Sequence, residues 1–206
     1  MKETALKKAK RQITRFFDQS PINVFKHSDI KEILSQNRDR WRLVASTTVN
    51  SLLTFMLDET ELQKLVFNFP HRTDLRYAWG DVSDYEVIMS LRAHSYLTHY
   101  TAMYLHNLTE QIPKTIYLNY EQPHKVSPDM ELEQSRIDGA FRRPVRLSKS
   151  VSKYKDLKIC LLNGMYTGRL GVIEIEGMRH ERIHVTNPER TLIDIIIFGR
   201  EVMKGY

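Results

Sequence analysis

The sequence predicts an α+β protein of two domains, with the boundary between residues 83 and 84. Three observations predict this class. Helical periodicities and one hairpin pattern fill the first 80 residues, helix and strand patterns alternate after them, and the polar stretch Asp81–Asp84 separates the two parts. A chain of 206 residues is long enough for each half to bury a core of its own. We therefore expect one domain over residues 1–83 and a second over residues 84–206.

Apolar spacing predicts three helices in the first domain. The inner stripe of the first helix consists of Leu6, Ala9, Ile13 and Phe16 or Phe17. The inner stripe of the third consists of Val49, Leu52, Leu53 and Met56. Both stripes repeat at intervals of three and four residues, which places each set on one side of a helix. The second helix is predicted to run from the N-cap Ser28 to Leu34, and the third to begin at the N-cap Ser46.

A β-hairpin pattern follows the helices. Leu62–Phe69 and Leu75–Trp79 are rich in strand-forming residues, and Pro70–Asp74 between them carries turn residues. Three helices followed by a two-stranded hairpin is the order of a winged helix-turn-helix, in which one helix enters the major groove of DNA. The first domain is therefore predicted to be a winged helix-turn-helix DNA-binding domain.

Helix and strand patterns are mixed in the second domain. Helices are predicted over 85–92, 98–108 and 186–202, with a further helix capped by Ser127. Thr186 and Glu189 have the spacing of a capping box at the start of the last helix. Strands are predicted over 115–120, 157–163, 170–176 and 182–185. This mixture predicts an α+β domain.

The predicted third helix carries short polar side chains opposite its apolar stripe. They are Thr47, Thr48, Asn50, Ser51 and Thr54, and no acid lies among them. Base edges in the major groove offer donors, acceptors and thymine methyl groups within reach of such side chains. Phosphate contacts are expected from Arg38, Arg40 and Arg42 before the helix and from His71 and Arg72 at the hairpin turn. We interpret these residues as a DNA-binding site. The alternative is the solvated face of a surface helix.

The positive charge of the chain permits a polyanionic partner. The formal net charge is +6 and the pI is about 9.3, and positive charge steers a protein toward nucleic acid. One basic run falls in the second domain, at Arg142, Arg143, Arg146, Lys149, Lys153, Lys155 and Lys158. This run is interpreted either as a surface for nucleic acid or an acidic protein face, or as a solvated connection.

Common enzyme motifs are absent from the sequence. It contains no Walker loop, no GxGxxG and no GxSxG pattern, so no cofactor is expected. His180 and His184 form a His-x-x-x-His pair but fall in a predicted turn and strand, so no metal site is expected. Glu174, Glu176 and Asp194 leave a metal-dependent nuclease, or another nucleic-acid-processing enzyme, as the alternative function. A protein-interaction module is the third interpretation.

The apolar segments predict a cytoplasmic protein. The longest apolar stretch, Ile195–Phe198 with Leu192 and Ile193 before it, is far shorter than the roughly 20 residues that a membrane span needs. The N-terminal lysines are not followed by the apolar segment of a secretory signal. Cys160, the single cysteine, lies in an apolar run, which predicts a buried thiol and no disulfide.

Two segments of the second domain resemble the signature of a known family. The first runs over 95–109 and 111–117, and the second, Val185–Asp194, contains the letters ERTL followed by an aspartate. Together, and in this order, they resemble AbiEi-type antitoxins of abortive-infection, type IV toxin-antitoxin systems. The resemblance implies a repressor half that binds repeated sites in its own promoter and a second half that antagonises a nucleotidyltransferase-like toxin. Such an antitoxin is not an enzyme and need not form a stable complex with its toxin.

The side chains of these two segments predict a structural role. The first segment is mostly apolar and is expected to pack as core through Tyr100, Ala102, Met103, Leu105 and Leu108. In the second segment, Glu189 serves the helix start and Arg190 is expected to pair with an acid. The two segments are therefore expected to mark a fold rather than a catalytic site.

Overall fold

The chain forms two units that divide between Leu91 and Arg92 in a computed structural model. The structure describes residues 4–124, 133–135, 138–139 and 148–202. Each unit combines helices with a β-sheet, so the predicted α+β class is confirmed. The division falls later in the chain than the boundary predicted at residues 83 and 84, because a short helix after that boundary belongs to the first unit.

The first unit consists of helices around a small antiparallel sheet. Its elements are α1 (Ala5–Asp18), β1 (Val24–Phe25), α2 (His27–Asn37), α3 (Val49–Glu59), β2 (Leu62–Phe69), β3 (Arg72–Trp79) and α4 (Asp84–Met89). The three predicted helices and the hairpin are confirmed. The two-residue strand β1 was not predicted; it pairs with β3, which gives the sheet order β1-β3-β2.

The core of the first unit forms where the predicted helical stripes meet the sheet. Its buried helical residues include Ala9, Ile13 and Phe17 of α1 and Leu52, Leu53 and Met56 of α3. Aromatic rings connect α1 to the rest of the core: Phe17 stacks on Trp79 with ring centroids 5.0 Å apart, and Phe16 meets Trp41 edge-on at 5.7 Å. The indole N–H of Trp79 donates to the Asp18 carboxylate at 2.9 Å. These contacts fix the first helix against β3.

Two predicted helix caps, Ser28 and Ser46, are wrong. α2 begins after Lys26, whose backbone N–H donates to the carboxylate of Asp29 at 2.7 Å. α3 begins after Thr48, whose hydroxyl accepts the backbone N–H three residues on at 3.1 Å. A cap residue works only where its oxygen meets the free N–H groups of the first turn. The start of α2 therefore lies two residues before the predicted position, and the start of α3 lies two residues after it.

Arg76 connects α4 and the segment after it to the hairpin. Its side chain is buried, and its guanidinium donates to the Ser90 carbonyl at 2.9 and 3.1 Å and to the Leu91 carbonyl at 3.1 Å. Burial lowers the pKa of Arg76 from its ordinary value. Val87 and Ile88 of α4 are also buried. These contacts explain why the first unit extends past the predicted boundary.

The second unit is built on a six-stranded mixed sheet. Its strands are β4 (Tyr96–Leu97), β5 (Thr115–Glu121), β6 (Val151–Tyr154), β7 (Leu157–Gly164), β8 (Val172–Glu176) and β9 (Arg182–Thr186), in the order β6-β7-β5-β4-β9-β8. β5 pairs in parallel with β7, and β4 with β9; the other neighbours are antiparallel. The four predicted strands correspond to β5, β7, β8 and β9. β4 and β6 were missed because two and four residues are too short for a clear period of two.

Two helices of the second unit, α5 (His99–Leu105) and α6 (Pro188–Val202), pack on each other. α5 ends before the predicted residue Leu108, which is half exposed, so its predicted place in the core is wrong. Ala102 is buried as predicted, whereas Tyr100, Met103 and Leu105 are only partly buried. The predicted helix capped by Ser127 lies outside the described residues.

The start of α6 differs from the predicted capping box. The side-chain oxygen of Asn187 accepts the backbone N–H of Arg190 at 2.9 Å, so Asn187 takes the capping role that was predicted for Thr186. Thr186 is buried and its hydroxyl lies 2.8 Å from that of Thr191. Cys160 is buried in β7, as predicted. Among the described residues, no helix has the length and apolar character of a membrane span.

Candidate nucleic-acid interface

The exposed face of α3 carries part of the predicted DNA-reading set. Asn50, Ser51 and Thr54 are exposed within the helix, and Thr48 is exposed at its N-cap. Thr48 and Ser51 are engaged with each other, because the Ser51 hydroxyl donates to the Thr48 carbonyl at 2.8 Å. Thr47 precedes the helix and is buried, so it cannot contact bases in this conformation. Asn50 and Thr54 are the side chains best placed to meet a base edge.

Arg38 has a structural role that the sequence did not predict. Its guanidinium donates to the carbonyls of Val44 at 2.8 Å, Ala45 at 3.3 Å and Thr47 at 2.9 Å. These bonds fix the segment between α2 and α3, and they use three of the five N–H donors of the guanidinium. Arg40 and Arg42 are therefore preferred to Arg38 as phosphate contacts.

Arg40 and Arg42 lie in the segment between α2 and α3, and both are exposed. Arg42 adopts a left-handed backbone conformation with φ of 51°, which is uncommon for a residue with a side chain. Neighbouring backbone bonds hold this turn, since the Arg42 N–H donates to Asp39 at 3.0 Å and the Leu43 N–H to Arg38 at 3.0 Å. The turn thus holds two arginines at the surface close in sequence to the start of α3.

The hairpin turn places two further predicted residues at its tip. Phe69 pairs with Arg72, so Pro70 and His71 form a two-residue connection, and His71 is exposed. Arg72 is partly engaged: its Nε lies 3.1 Å from the Asp74 carboxylate and its guanidinium lies 5.2 Å from the centre of the Phe69 ring. The tip therefore exposes His71, and it carries Arg72, whose side chain is positioned by Asp74 and Phe69.

Three further basic residues contact side chains of α3. His27, at the start of α2, has its Nε2 3.5 Å from Oδ1 of Asn50. Lys7 and Lys10 of α1 lie 3.6 and 3.2 Å from the carboxylate of Glu59 at the end of α3, and the bond and charge of Lys10 lower the pKa of Glu59. The sequence carries no signal for these pairs, because they depend on how the helices cross.

The basic run of the second unit is described only in part. Arg142, Arg143 and Arg146 lie outside the described residues. Lys149, Lys153, Lys155 and Lys158 are exposed. Lys153 on the edge strand β6 stands directly opposite Lys158 on β7. Like charges in a cross-strand pair repel each other, and lysines are common on edge strands, where they prevent pairing with other sheets. Both interpretations of the run thus stay open.

The two family-like segments meet in a polar network inside the second unit. The Tyr96 hydroxyl accepts from the Asn119 amide at 2.7 Å and donates to Glu121 at 3.1 Å. Burial raises the pKa of Tyr96 to about 12. Separately, the Asp194 carboxylate accepts from the Thr98 hydroxyl at 2.8 Å and from Arg190 at 2.8 Å. The predicted pairing of Arg190 with an acid is confirmed.

No family model matches this chain. No curated protein matches it either. The resemblance to AbiEi-type antitoxins therefore stays a prediction from the residues of its two segments.

The three acids on which the nuclease alternative depends each contact a different basic side chain. Glu174 lies 3.8 Å from Arg182, Glu176 contacts His180, and Asp194 is bound to Arg190. Within the described ranges, no group of three or more histidine, cysteine or acidic side chains is arranged to hold a metal ion. The described contacts of all three acids are thus with basic side chains of the chain itself and, for Asp194, with Thr98.

Proposed function

We propose that this chain is a DNA-binding transcriptional repressor that acts on its own promoter. The observation that carries the proposal is the exposed polar face of α3, at Asn50, Ser51 and Thr54. The element order α1-β1-α2-α3-β2-β3 supports the interpretation of the first unit as a winged helix-turn-helix, with α3 as the recognition helix and the β2–β3 hairpin as the wing. The proposed ligand is double-stranded DNA, and the proposed location is the cytoplasm.

The chemistry of the α3 face favours A·T base pairs. The Asn50 amide can pair with adenine, which offers one donor and one acceptor in the major groove. The Thr54 methyl group can contact the methyl group of thymine. The face carries no arginine or lysine, the side chains that most often contact guanine. An acid, Asp58, lies one turn beyond Thr54 and is exposed, so base contacts are expected from the first two turns of the helix.

Phosphate contacts are proposed for the arginines on either side of this face. Arg40 and Arg42 lie before α3 and are exposed. His71 and Arg72 lie at the tip of the hairpin. Contacts of this kind position a protein on the duplex and make its affinity depend on salt, while base contacts determine which sequence is bound.

We further propose that the second unit antagonises a nucleotidyltransferase-like toxin. Support comes from the resemblance of segments 95–117 and 185–194 to AbiEi-type antitoxins. The two segments are joined by the buried hydrogen bond from the Thr98 hydroxyl to the Asp194 carboxylate, which also accepts from Arg190. Buried hydrogen-bonded groups of this kind specify a fold, and a fold-specifying motif is what a non-catalytic antitoxin requires.

The repressor proposal is tested by fluorescence anisotropy with labelled DNA taken from upstream of the gene. Wild-type protein is expected to bind with a strong dependence on salt and without cleavage when Mg²⁺ is added. Asn50→Ala is expected to weaken specific binding by about 1–3 kcal/mol while leaving the melting temperature unchanged. Asn163→Ala, which removes an exposed amide from the second unit, is the matched control. Unchanged binding by Asn50→Ala would exclude α3 as the reading element, and cleavage would favour a nuclease.

A further inference from the structure

The side chain of Asn50 meets the side chain of His27, which lies on a different helix. The Nε2 atom of His27 is 3.5 Å from Oδ1 of Asn50. His27 is the first residue of α2 and Asn50 is the second residue of α3, and both side chains are exposed. Among the described residues, this is the only hydrogen bond that either side chain makes. The contact joins the two helix starts at the face that is proposed to read DNA.

Both helix starts are held by their own caps. At the start of α2, the backbone N–H of Lys26 donates to the Asp29 carboxylate at 2.7 Å. At the start of α3, the backbone N–H of Thr48 donates to the Ser51 hydroxyl at 3.0 Å, and the backbone N–H of Ser51 donates to the Thr48 hydroxyl at 3.1 Å. Caps of this kind fix the backbone of the first turn. The contact between the two exposed side chains therefore rests on ordered backbone at both ends.

The contact selects one orientation of the Asn50 amide. The terminal torsion of an asparagine is broad and roughly two-fold, so an unsupported amide can exchange its oxygen and nitrogen ends. His27 faces the oxygen, so its Nε2–H donates to Oδ1 and the amine of Asn50 points away from the ring. Oδ1 keeps a second lone pair, and the amine keeps its N–H groups. Adenine requires one acceptor and one donor of this kind, since its N6 donates and its N7 accepts in the major groove.

We infer that His27 is a positioning residue that sets the base specificity of Asn50, an inference that rests on the proposed DNA-binding function. An amide that is already ordered loses less conformational entropy when it binds a base. The orientation that His27 supports also discriminates between purines. Guanine presents acceptors at both N7 and O6, so the fixed Oδ1 finds no donor on it.

A phosphate contact is the other role open to a histidine at this place. A histidine that binds phosphate strengthens binding to every sequence and steepens the dependence on salt. A histidine that orients Asn50 changes affinity only for the sequence that Asn50 reads, and its effect disappears when Asn50 is removed. The direction of the Nε2 donor, toward Asn50, favours the second role.

The experiment is a double-mutant cycle measured by fluorescence anisotropy on two labelled duplexes, the promoter DNA and an unrelated sequence of the same length. His27→Ala is expected to weaken promoter binding by about threefold to tenfold. Its binding to the unrelated duplex and its salt slope are expected to match the wild type. In the Asn50→Ala background the same substitution is expected to have no effect.

Two further variants complete the cycle. His27→Gln has an amide that can donate to Oδ1, so it is expected to restore promoter binding to within about twofold of the wild type. His180→Ala removes an exposed histidine from the second unit and is the matched control. If His27→Ala melts early, His27→Leu replaces it, since leucine fills similar space and has no donor.

Each outcome decides between the roles. A loss that is confined to the promoter and absent in the Asn50→Ala background supports the inference. Equal losses on both duplexes with a shallower salt slope assign His27 to a phosphate and overturn it, as does a loss that persists in the Asn50→Ala background. Wild-type affinity in His27→Ala also overturns it, and the repressor function then still stands if Asn50→Ala binds the promoter weakly. Wild-type protein that does not prefer the promoter overturns the repressor function and the inference with it.

Discussion

The guanidinium of Arg38 lies 2.9 Å from the carbonyl oxygen of Thr47, the residue that precedes the N-cap of α3. Two further bonds from the same guanidinium, to Val44 and Ala45, hold the rest of this segment. The backbone that leads into α3 is therefore held by an arginine nine residues before Thr47 in the chain. An arginine is suited to this role because its five donors lie in one rigid plane.

Arg38→Ala is expected to lower the free energy of unfolding of the first unit by about 1–3 kcal/mol, because it removes three hydrogen bonds from a charged donor to backbone carbonyls. Arg40→Ala, which removes an exposed arginine from the same segment, is expected to change it by less than about 0.5 kcal/mol. Urea unfolding followed by far-UV circular dichroism measures both. Equal stability of the two variants would make Arg38 as good a candidate phosphate contact as Arg40.

Arg72→Ala is expected to weaken binding to promoter and unrelated DNA alike. A phosphate contact carries no sequence information, so the slope of log affinity against log salt is expected to become shallower by about one. Arg182→Ala removes an exposed arginine from the second unit and serves as the control. The measurement is a salt titration of anisotropy. A slope identical to that of the wild type would show that the hairpin tip does not touch the backbone.

Asp194→Ala is expected to destabilise the second unit by about 3–5 kcal/mol, because it removes the carboxylate that faces the partly buried charge of Arg190 and leaves Arg190 Nε and the Thr98 hydroxyl without their acceptor. Glu189→Ala removes an exposed acid from the first turn of the same helix and is expected to cost about 0.3–1 kcal/mol through the helix dipole. Chemical denaturation measures the difference. Similar losses in the two variants would mean that Asp194 stabilises only as a surface charge.

The stability of the second unit is expected to fall as pH is lowered from about 6.5 to about 4. Burial lowers the pKa of His99 from 6.5 to about 4; Asp194 opposes this shift, and Arg190 adds to it. Between these values the unfolded chain binds a proton that the folded chain does not, so acid favours unfolding. His99→Gln is expected to flatten this dependence, whereas His180→Gln, at an exposed site, leaves it unchanged. A slope that survives in His99→Gln would assign the dependence to another group.

The long elements could be predicted because their periodicity comes from burial on one side. The stripe Leu52, Leu53 and Met56 is buried as its spacing predicts, and β7 follows its run of apolar residues. Short elements carried no such signal. β1 exists because Val24 and Phe25 pair with Ala78 and Tyr77, which is a tertiary relationship. The predicted positions of the helix starts were wrong for a related reason, since several residues near each start could have served as the cap.

Residue types in the candidate site could be predicted, but their roles could not. Asn50 and Thr54 lie exposed on α3 as predicted. The sequence gives no reason to assign Arg38 and Arg40 different roles. The structure does, because the Arg38 guanidinium binds three backbone carbonyls. The proximity of His27 to Asn50 required the crossing of two helices. Charge and polarity are visible in a sequence, whereas the partner that occupies a side chain is set by folding.

Trp41 and Trp79, which pack against phenylalanines of α1, allow the unfolding of the first unit to be followed by fluorescence. Both tryptophans of the chain lie in the first unit, and residues 92–206 contain none. Indole emission therefore reports the melting of the first unit alone, while circular dichroism reports both. Transitions that coincide by the two probes would mean that the units unfold cooperatively, and separate transitions would mean that each is a folding domain in its own right.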